Sequence, residues 1–148
     1  MQYWEDIEVG AKSRFGRYEV TREEVVAFAS SYDPQPFHLS DEAAAQTYFG
    51  RLSASGWHTC AMTMRMLVDN LSANRQAGLG SPGLDELRWL KPVYPGDTLS
   101  VETHVLEKTA SRSRPDMGSY KSAITVFNQD DEPVLKMTSI GLIRRRPE

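Results

Sequence analysis

One stretch limits the choice of fold more than any other. From Gly56 the run "GWHTCAMTMRMLVDNLS" repeats apolar residues at three- and four-residue spacing: Trp57, Cys60, Met64, Leu67 and Leu71. Ala61 and Val68 widen that stripe, and Met62 and Met66 lie off it. A helix that is apolar around so much of its circumference is largely buried, so the rest of the chain must cover it. The second half of the chain is strand-like. The runs Leu84 to Leu90, Thr98 to Thr109, Tyr120 to Asn128 and Val134 to Ile143 are set apart by turn residues. Alternation is clear where Ile124 and Val126 share a face, and where Val134, Thr138, Ile140 and Leu142 oppose Leu135, Met137 and Ile143. "KPVYPGDTL", with Pro92, Pro95 and Gly96, reads as the turn between the first two runs, and "NQDDEP" as the hairpin between the last two. Consecutive antiparallel strands of this kind form a meander, whose apolar face needs a cover. The expected fold is therefore α+β: one domain over residues 1–148, with a curved antiparallel sheet wrapped around one long helix.

The first half is mainly helical after an opening strand, Ser13 to Val20. Thr21 with Glu24 reads as a capping box, and Val25, Phe28 and Ala29 give the helix one apolar face. That helix must end near Ser31, because Pro34 and Pro36 forbid its continuation. Ser40 is placed to cap a second helix running through "EAAAQTYF" to Gly50. "NRQAGLGSPG" reads as a loop between the halves. Its glycines lack the lysine and hydroxyl residue of a phosphate loop.

Composition narrows the partners. The net charge of −3 and the missing Lys/Arg stripe argue against nucleic acid. Arg144 to Arg146 read as a solvated tail. Cys60 is the single cysteine, so no intramolecular disulfide forms. The opening "MQYWEDIEVG" has no basic region of a secretory signal, and no run reaches the roughly 18 apolar residues of a membrane span. A cytoplasmic location and no membrane partner are the expectation. His58 and His104 form no metal-ligand spacing with His38, so no metal site is expected.

The chemistry concentrates in "YDPQPFH". Asp33 follows the end of one helix and His38 precedes the start of the next, with Pro34 and Pro36 fixing two φ angles between them. A stiff loop loses little entropy when it presents two side chains to a ligand. Imidazole titrates near neutrality, so an aspartate and a histidine held together can share proton transfers. The plainer reading is turn chemistry at Asp33 and a backbone hydrogen bond at His38. His58, at the start of the long helix, either lines the same cleft or packs there.

"FASSYDPQPFHLSDEAAAQTYFG", "SASGWHT" and "LRWLKPVYPGDTL" together resemble the MaoC-like hydratase/dehydratase family, the (R)-specific enoyl-CoA hydratase branch of the hot-dog fold. That family's motif is an aspartate, an asparagine two residues on, a proline, and a histidine five after the aspartate. Asp33, Pro36 and His38 match it, and Gln35 stands for the asparagine. The resemblance implies reversible hydration of a 2-enoyl-CoA thioester to a 3-hydroxyacyl-CoA, with Asp33 and His38 activating water. The backbone N–H of Gly56 would meet the thioester oxygen. It further implies a pocket shaped by Gln35, Pro36, Ser55, Trp57 and His58, an acyl-CoA substrate, no cofactor, and a homodimer or dimer-based assembly. Arg88, Lys91, Arg112, Arg114 and Lys121 are candidates for the CoA phosphates. Where many hydratases read Ala-His-Gly, this chain has Ala54-Ser55-Gly56. The alternatives are a hot-dog acyl-CoA thioesterase and a non-catalytic acyl-thioester-binding domain.

Overall fold

Strand β1 (Lys12–Glu19) leads through Val20 and Thr21 into helix α1 (Arg22–Tyr32) in the computed structural model, which describes all residues from Met1 to Glu148. Thr21 caps α1 by accepting the Glu24 N–H at 3.3 Å. The Glu24 carboxylate does not complete the box. It accepts the Tyr18 hydroxyl at 2.5 Å, tying α1 to β1. After the proline bend come α2 (Asp41–Ala44), α3 (Gly56–Ala73), and strands β2 (Gly78–Trp89), β3 (Thr98–Ala110), β4 (Met117–Phe127) and β5 (Pro133–Arg144). Ser40 does cap α2, accepting Ala43 N–H at 3.2 Å. Yet α2 is a single turn rather than a helix reaching Gly50, and β2 starts within the segment expected to be a loop.

The sheet order is β1-β3-β4-β5-β2, every pair antiparallel. The meander holds for β3, β4 and β5. It fails between β2 and β3: β2 pairs with β5 at the far edge, so "KPVYPGDTL" is a crossover and not a hairpin turn. That crossover has a structural use. Its Val93 is buried and accepts Ala54 N–H at 2.8 Å, which anchors the chain just before α3.

The sheet is also open, which corrects the expected curved wrap. It neither closes nor curls around α3, because β1 and β2 each pair along one side only. The long helix lies on one face, packed mainly against β1 and β3. Dimensions explain this. A helix is about 10–12 Å across, and strands lie about 4.8 Å apart, so one helix covers two or three strands and not five.

The helix turns a different face inward than its apolar spacing suggests. Met62 and Met66 are buried with Thr59 and Thr63, while Trp57, Met64, Val68 and Leu71 are exposed. Thr63 can occupy the core because it donates its hydroxyl to the Thr59 carbonyl at 2.8 Å, while Thr59 lines the cavity beside the head of α3. The methionines share one apolar core with Val25, Leu52, Leu99, Val101, Ile124 and Val126. At the closest approach the register of β1 slips between Phe15 and Tyr18, and Gly16 has φ +85°. A Cβ on Gly16 would lie 2.6 Å from Met66 Sδ, so α3 rests directly on the β1 backbone.

A smaller cluster, Ile7, Ala77 and Ile143, closes the far end with Tyr3 and Trp4 against it. Here the basic tail is not simply solvated. Arg145 donates to Glu5 at 2.9 Å and Arg146 to Asp6 at 2.6 Å, and Arg145 also stacks on Trp4. No helix is long and apolar enough to cross a membrane.

Candidate active site

The end of α1 and the proline bend place Asp33 and His38 together. Asp33 is the C-cap residue of α1, and Pro36 opens a 3-10 turn that ends at His38. His38 Nε2 stands 3.5 Å from Asp33 Oδ2, and both side chains are largely buried. At that separation the direct contact is long, and a water between two such groups is ordinary. The other face of the imidazole is fixed: His38 Nδ1 lies 2.7 Å from the Ser53 carbonyl. A carbonyl only accepts, so Nδ1 carries hydrogen and, in the neutral ring, Nε2 is bare toward Asp33. Phe37 and Phe49 pack against the ring at 4.6 and 5.7 Å.

Asp33 is held from its other oxygen. Gln35 Nε2 donates to Asp33 Oδ1 at 2.6 Å. Burial works to raise the Asp33 carboxyl, but the Gln35 amide, the Ser55 hydroxyl and the charge of His38 outweigh it, leaving the group below its usual range. The Ser55 influence is one of proximity, since its buried Oγ makes no well-formed hydrogen bond; the buried Ser53 Oγ is likewise unpartnered.

Residues 52–55 run buried from α2 to α3. Leu52 N–H and Arg22 hold the Asp41 carboxyl low, and the Leu52–Asp41 bond, 2.9 Å, fixes the start of this segment. Ser55 stands at the N-cap of α3 but does not cap it. The first intrahelical bond is Thr59 N–H to Ser55 O at 3.0 Å, and no acceptor in the chain takes the Gly56, Trp57 or His58 amide. An 18-residue helix thus presents free N–H groups and the positive end of its dipole at Gly56.

A cavity of about 410 Å³ opens between these parts, lined among others by Asp33, Gln35, His38, Gly56, Trp57 and Trp89. It unites five of the residues singled out in the sequence. Pro36, Ser55 and His58 do not line it. Pro36 shapes the turn beneath it, and Ser55 faces Asp33 from behind. His58 stacks on Phe28, with ring centroids 4.7 Å apart and planes 7° apart. Burial pushes the His58 imidazole down, against the opposing pull of Glu24. The cavity also holds side chains that sequence reasoning passed over, Trp89, Tyr48 and Phe49. Of the five basic candidates for CoA phosphates, Lys91 alone lines the cavity, and it is paired with Glu132. Burial pushes the Cys60 thiol up, away from nucleophilic use. No cluster of metal-ligating side chains occurs.

The cavity thus joins an aspartate and a histidine with the free head of a long helix that lies on an open antiparallel sheet. The profile of the MaoC like domain family matches residues 6–126. The chain belongs to that family, among the hydro-lyases of the hot-dog fold. A MaoC-like dehydratase from Rhodospirillum rubrum, known from its crystal structure, is 42% identical, with full coverage of both chains and a TM-score of 0.91. The R-hydratase of Pseudomonas aeruginosa is 26% identical over 97% of this chain and 86% of its own, with a TM-score of 0.74. A 3-hydroxybutyryl-CoA dehydratase from Methylorubrum extorquens is 31% identical over 137 residues, 91% of this chain and 83% of that one.

Proposed function

We propose that the protein reversibly hydrates a 2-enoyl-CoA thioester to a 3-hydroxyacyl-CoA. The observation that carries this reading is the pairing of His38 Nε2 and Asp33 Oδ2 across 3.5 Å in a cavity shared with Gly56. Water seated between the two groups gives a proton to His38 Nε2, which the Ser53 carbonyl keeps bare in the neutral ring. The water oxygen bonds to C3 of the enoyl group. The C2–C3 π electrons move toward the thioester, and negative charge develops on its oxygen. The Gly56 N–H, at the positive end of α3, stabilises that charge. Asp33, kept anionic by Gln35, offsets the imidazolium formed at His38. The enolate then takes a proton at C2 from the same pair, so Asp33 and His38 end as they began and one water has been added. Dehydration is the reverse.

We further propose that a second copy of the chain completes the assembly. Strand β2 is an open edge carrying exposed Leu79, Leu84 and Trp89, and α3 exposes Met64, Val68 and Leu71. A cavity of about 850 Å³ lies between that helix face and the uncovered part of the sheet. An apolar edge and face of this kind invite self-association. The activity is tested with short 2-enoyl-CoA substrates, following loss of the conjugated double bond and, in parallel, free thiol. Loss of the double bond without thiol supports hydration. Thiol release from saturated acyl-CoA overturns it in favour of hydrolysis. Sedimentation as a monomer at micromolar concentration overturns the dimer.

A further inference from the structure

We infer that Trp89 is a positioning residue for the head of α3, an inference that rests on the hydration reading for its catalytic consequence. Trp89 ends β2, an edge strand on the opposite side of the sheet from β1, and reaches across to the helix start. Its indole Nε1–H donates to the Gly56 carbonyl at 2.8 Å. Its ring lies flat against the space a side chain at residue 56 would need. A Cβ there would fall 2.5 Å from Cε2, 2.7 Å from Nε1 and 2.8 Å from Cδ2. Trp57 meets the same ring edge-on, with centroids 5.3 Å apart and planes at 77°. Both tryptophans line the cavity.

The helix head needs such a tie. Its N-cap, Ser55, makes no capping bond, and an uncapped end is the part of a helix that frays first. The Gly56 carbonyl belongs to the peptide that carries the Trp57 N–H, next in line to the Gly56 N–H. An indole fixed to that carbonyl restrains the peptide laterally, in a way that the axial bonds of the helix do not. Trp89 therefore sets where the free amides stand relative to Asp33 and His38. It also dictates glycine at position 56, since its ring occupies the place of a side chain.

A second tryptophan provides an internal control. Trp4 lies over Gly118, where a Cβ would be 2.4 Å from its ring, and donates Nε1–H to the Ser119 carbonyl at 3.1 Å. It lines no part of the site cavity. Trp89→Phe and Trp4→Phe each keep a ring and lose one indole donor to a carbonyl, one at the site and one remote from it.

The test compares kcat, KM and amide exchange in the two variants and the wild type. Trp89→Phe is expected to lower kcat about 10- to 100-fold, with KM within about twofold, because misplacing a donor affects the transition state. Exchange at the Thr59 amide, bonded to Ser55 O, should quicken in Trp89→Phe alone. Trp4→Phe should leave kcat and that amide unchanged. A wild-type kcat in Trp89→Phe, or a rise in KM alone, overturns the inference and leaves hydration standing. If the wild type hydrates no enoyl-CoA, the hydration reading falls, and unchanged Thr59 exchange in Trp89→Phe then overturns the clamp as well.

Discussion

Replacing Gly16 with alanine probes the contact on which the helix–sheet packing depends. Gly16 combines φ +85° with a Cβ site 2.6 Å from Met66 Sδ, 3.0 Å from Cγ and 3.3 Å from Cβ. The substitution carries two costs. An L-residue in the left-handed region loses roughly 1–2 kcal/mol. Met66 is buried at 4% exposure and must yield by several tenths of an ångström, an overpacking cost of about 1–3 kcal/mol. The sum, about 2–5 kcal/mol, is a large share of the ~5–15 kcal/mol that stabilises a typical domain. Thermal unfolding should shift down on the order of 10 °C. The two costs separate experimentally. Gly10 has φ +90° with nothing within 4 Å of its Cβ site, so Gly10→Ala should show only the backbone strain. In a Met66→Ala background, Gly16→Ala should likewise cost only that strain, giving a coupling of about 1–3 kcal/mol across the cycle. A Gly16→Ala protein melting within about 2 °C of wild type, or a cycle with no coupling, would refute the packing of α3 on the β1 backbone.

Further expectations concern charge. The Arg146 backbone N–H and the Arg145 side chain lower the Glu5 carboxyl to about 2, against a slight opposing effect of burial. A depressed carboxyl contributes stability that is complete above its unfolded pKa and is lost as pH falls through the folded value. The Glu5 contribution should therefore fade between about pH 4.5 and 2, and melting curves of Glu5→Gln should show a flatter acid limb. At the site, Gln35→Ala removes the donor to Asp33 Oδ1 and should move the acid limb of the hydration profile to higher pH. An unchanged limb would mean that Gln35 does not govern the carboxylate.

Much of this architecture was readable from residues. The proline bend, the Thr21 and Ser40 caps, and the alternation of β4 and β5 are local patterns, and each fixed an element near its observed place. The inward face of α3 was not readable, because Thr59 and Thr63 look polar, and only the fold shows the Thr63 hydroxyl met by the Thr59 carbonyl. Nor was the exposure of Met64 and Val68, which hydropathy assigns to a core in any chain. The β2–β3 crossover was hidden for a similar reason: turn residues announce a change of direction, not which strand comes next. The width of one helix against five strands settled the open sheet, a matter of assembled dimensions that no local pattern encodes. Within the site, Asp33 and His38 stood out by spacing. Trp89 did not, since its contact with Gly56 spans 33 positions and leaves no periodic trace.

The most direct measurement is turnover of a short 2-enoyl-CoA by wild type, Asp33→Asn and His38→Ala, with folding checked by circular dichroism and melting. Asparagine keeps the shape and can still accept the Gln35 donor, so the fold should survive. Each variant should lose about 10²–10⁴ in kcat, the usual share of a positioned acid or base. Folded variants that hydrate the substrate at the wild-type rate would contradict the assignment of Asp33 and His38 to proton transfer.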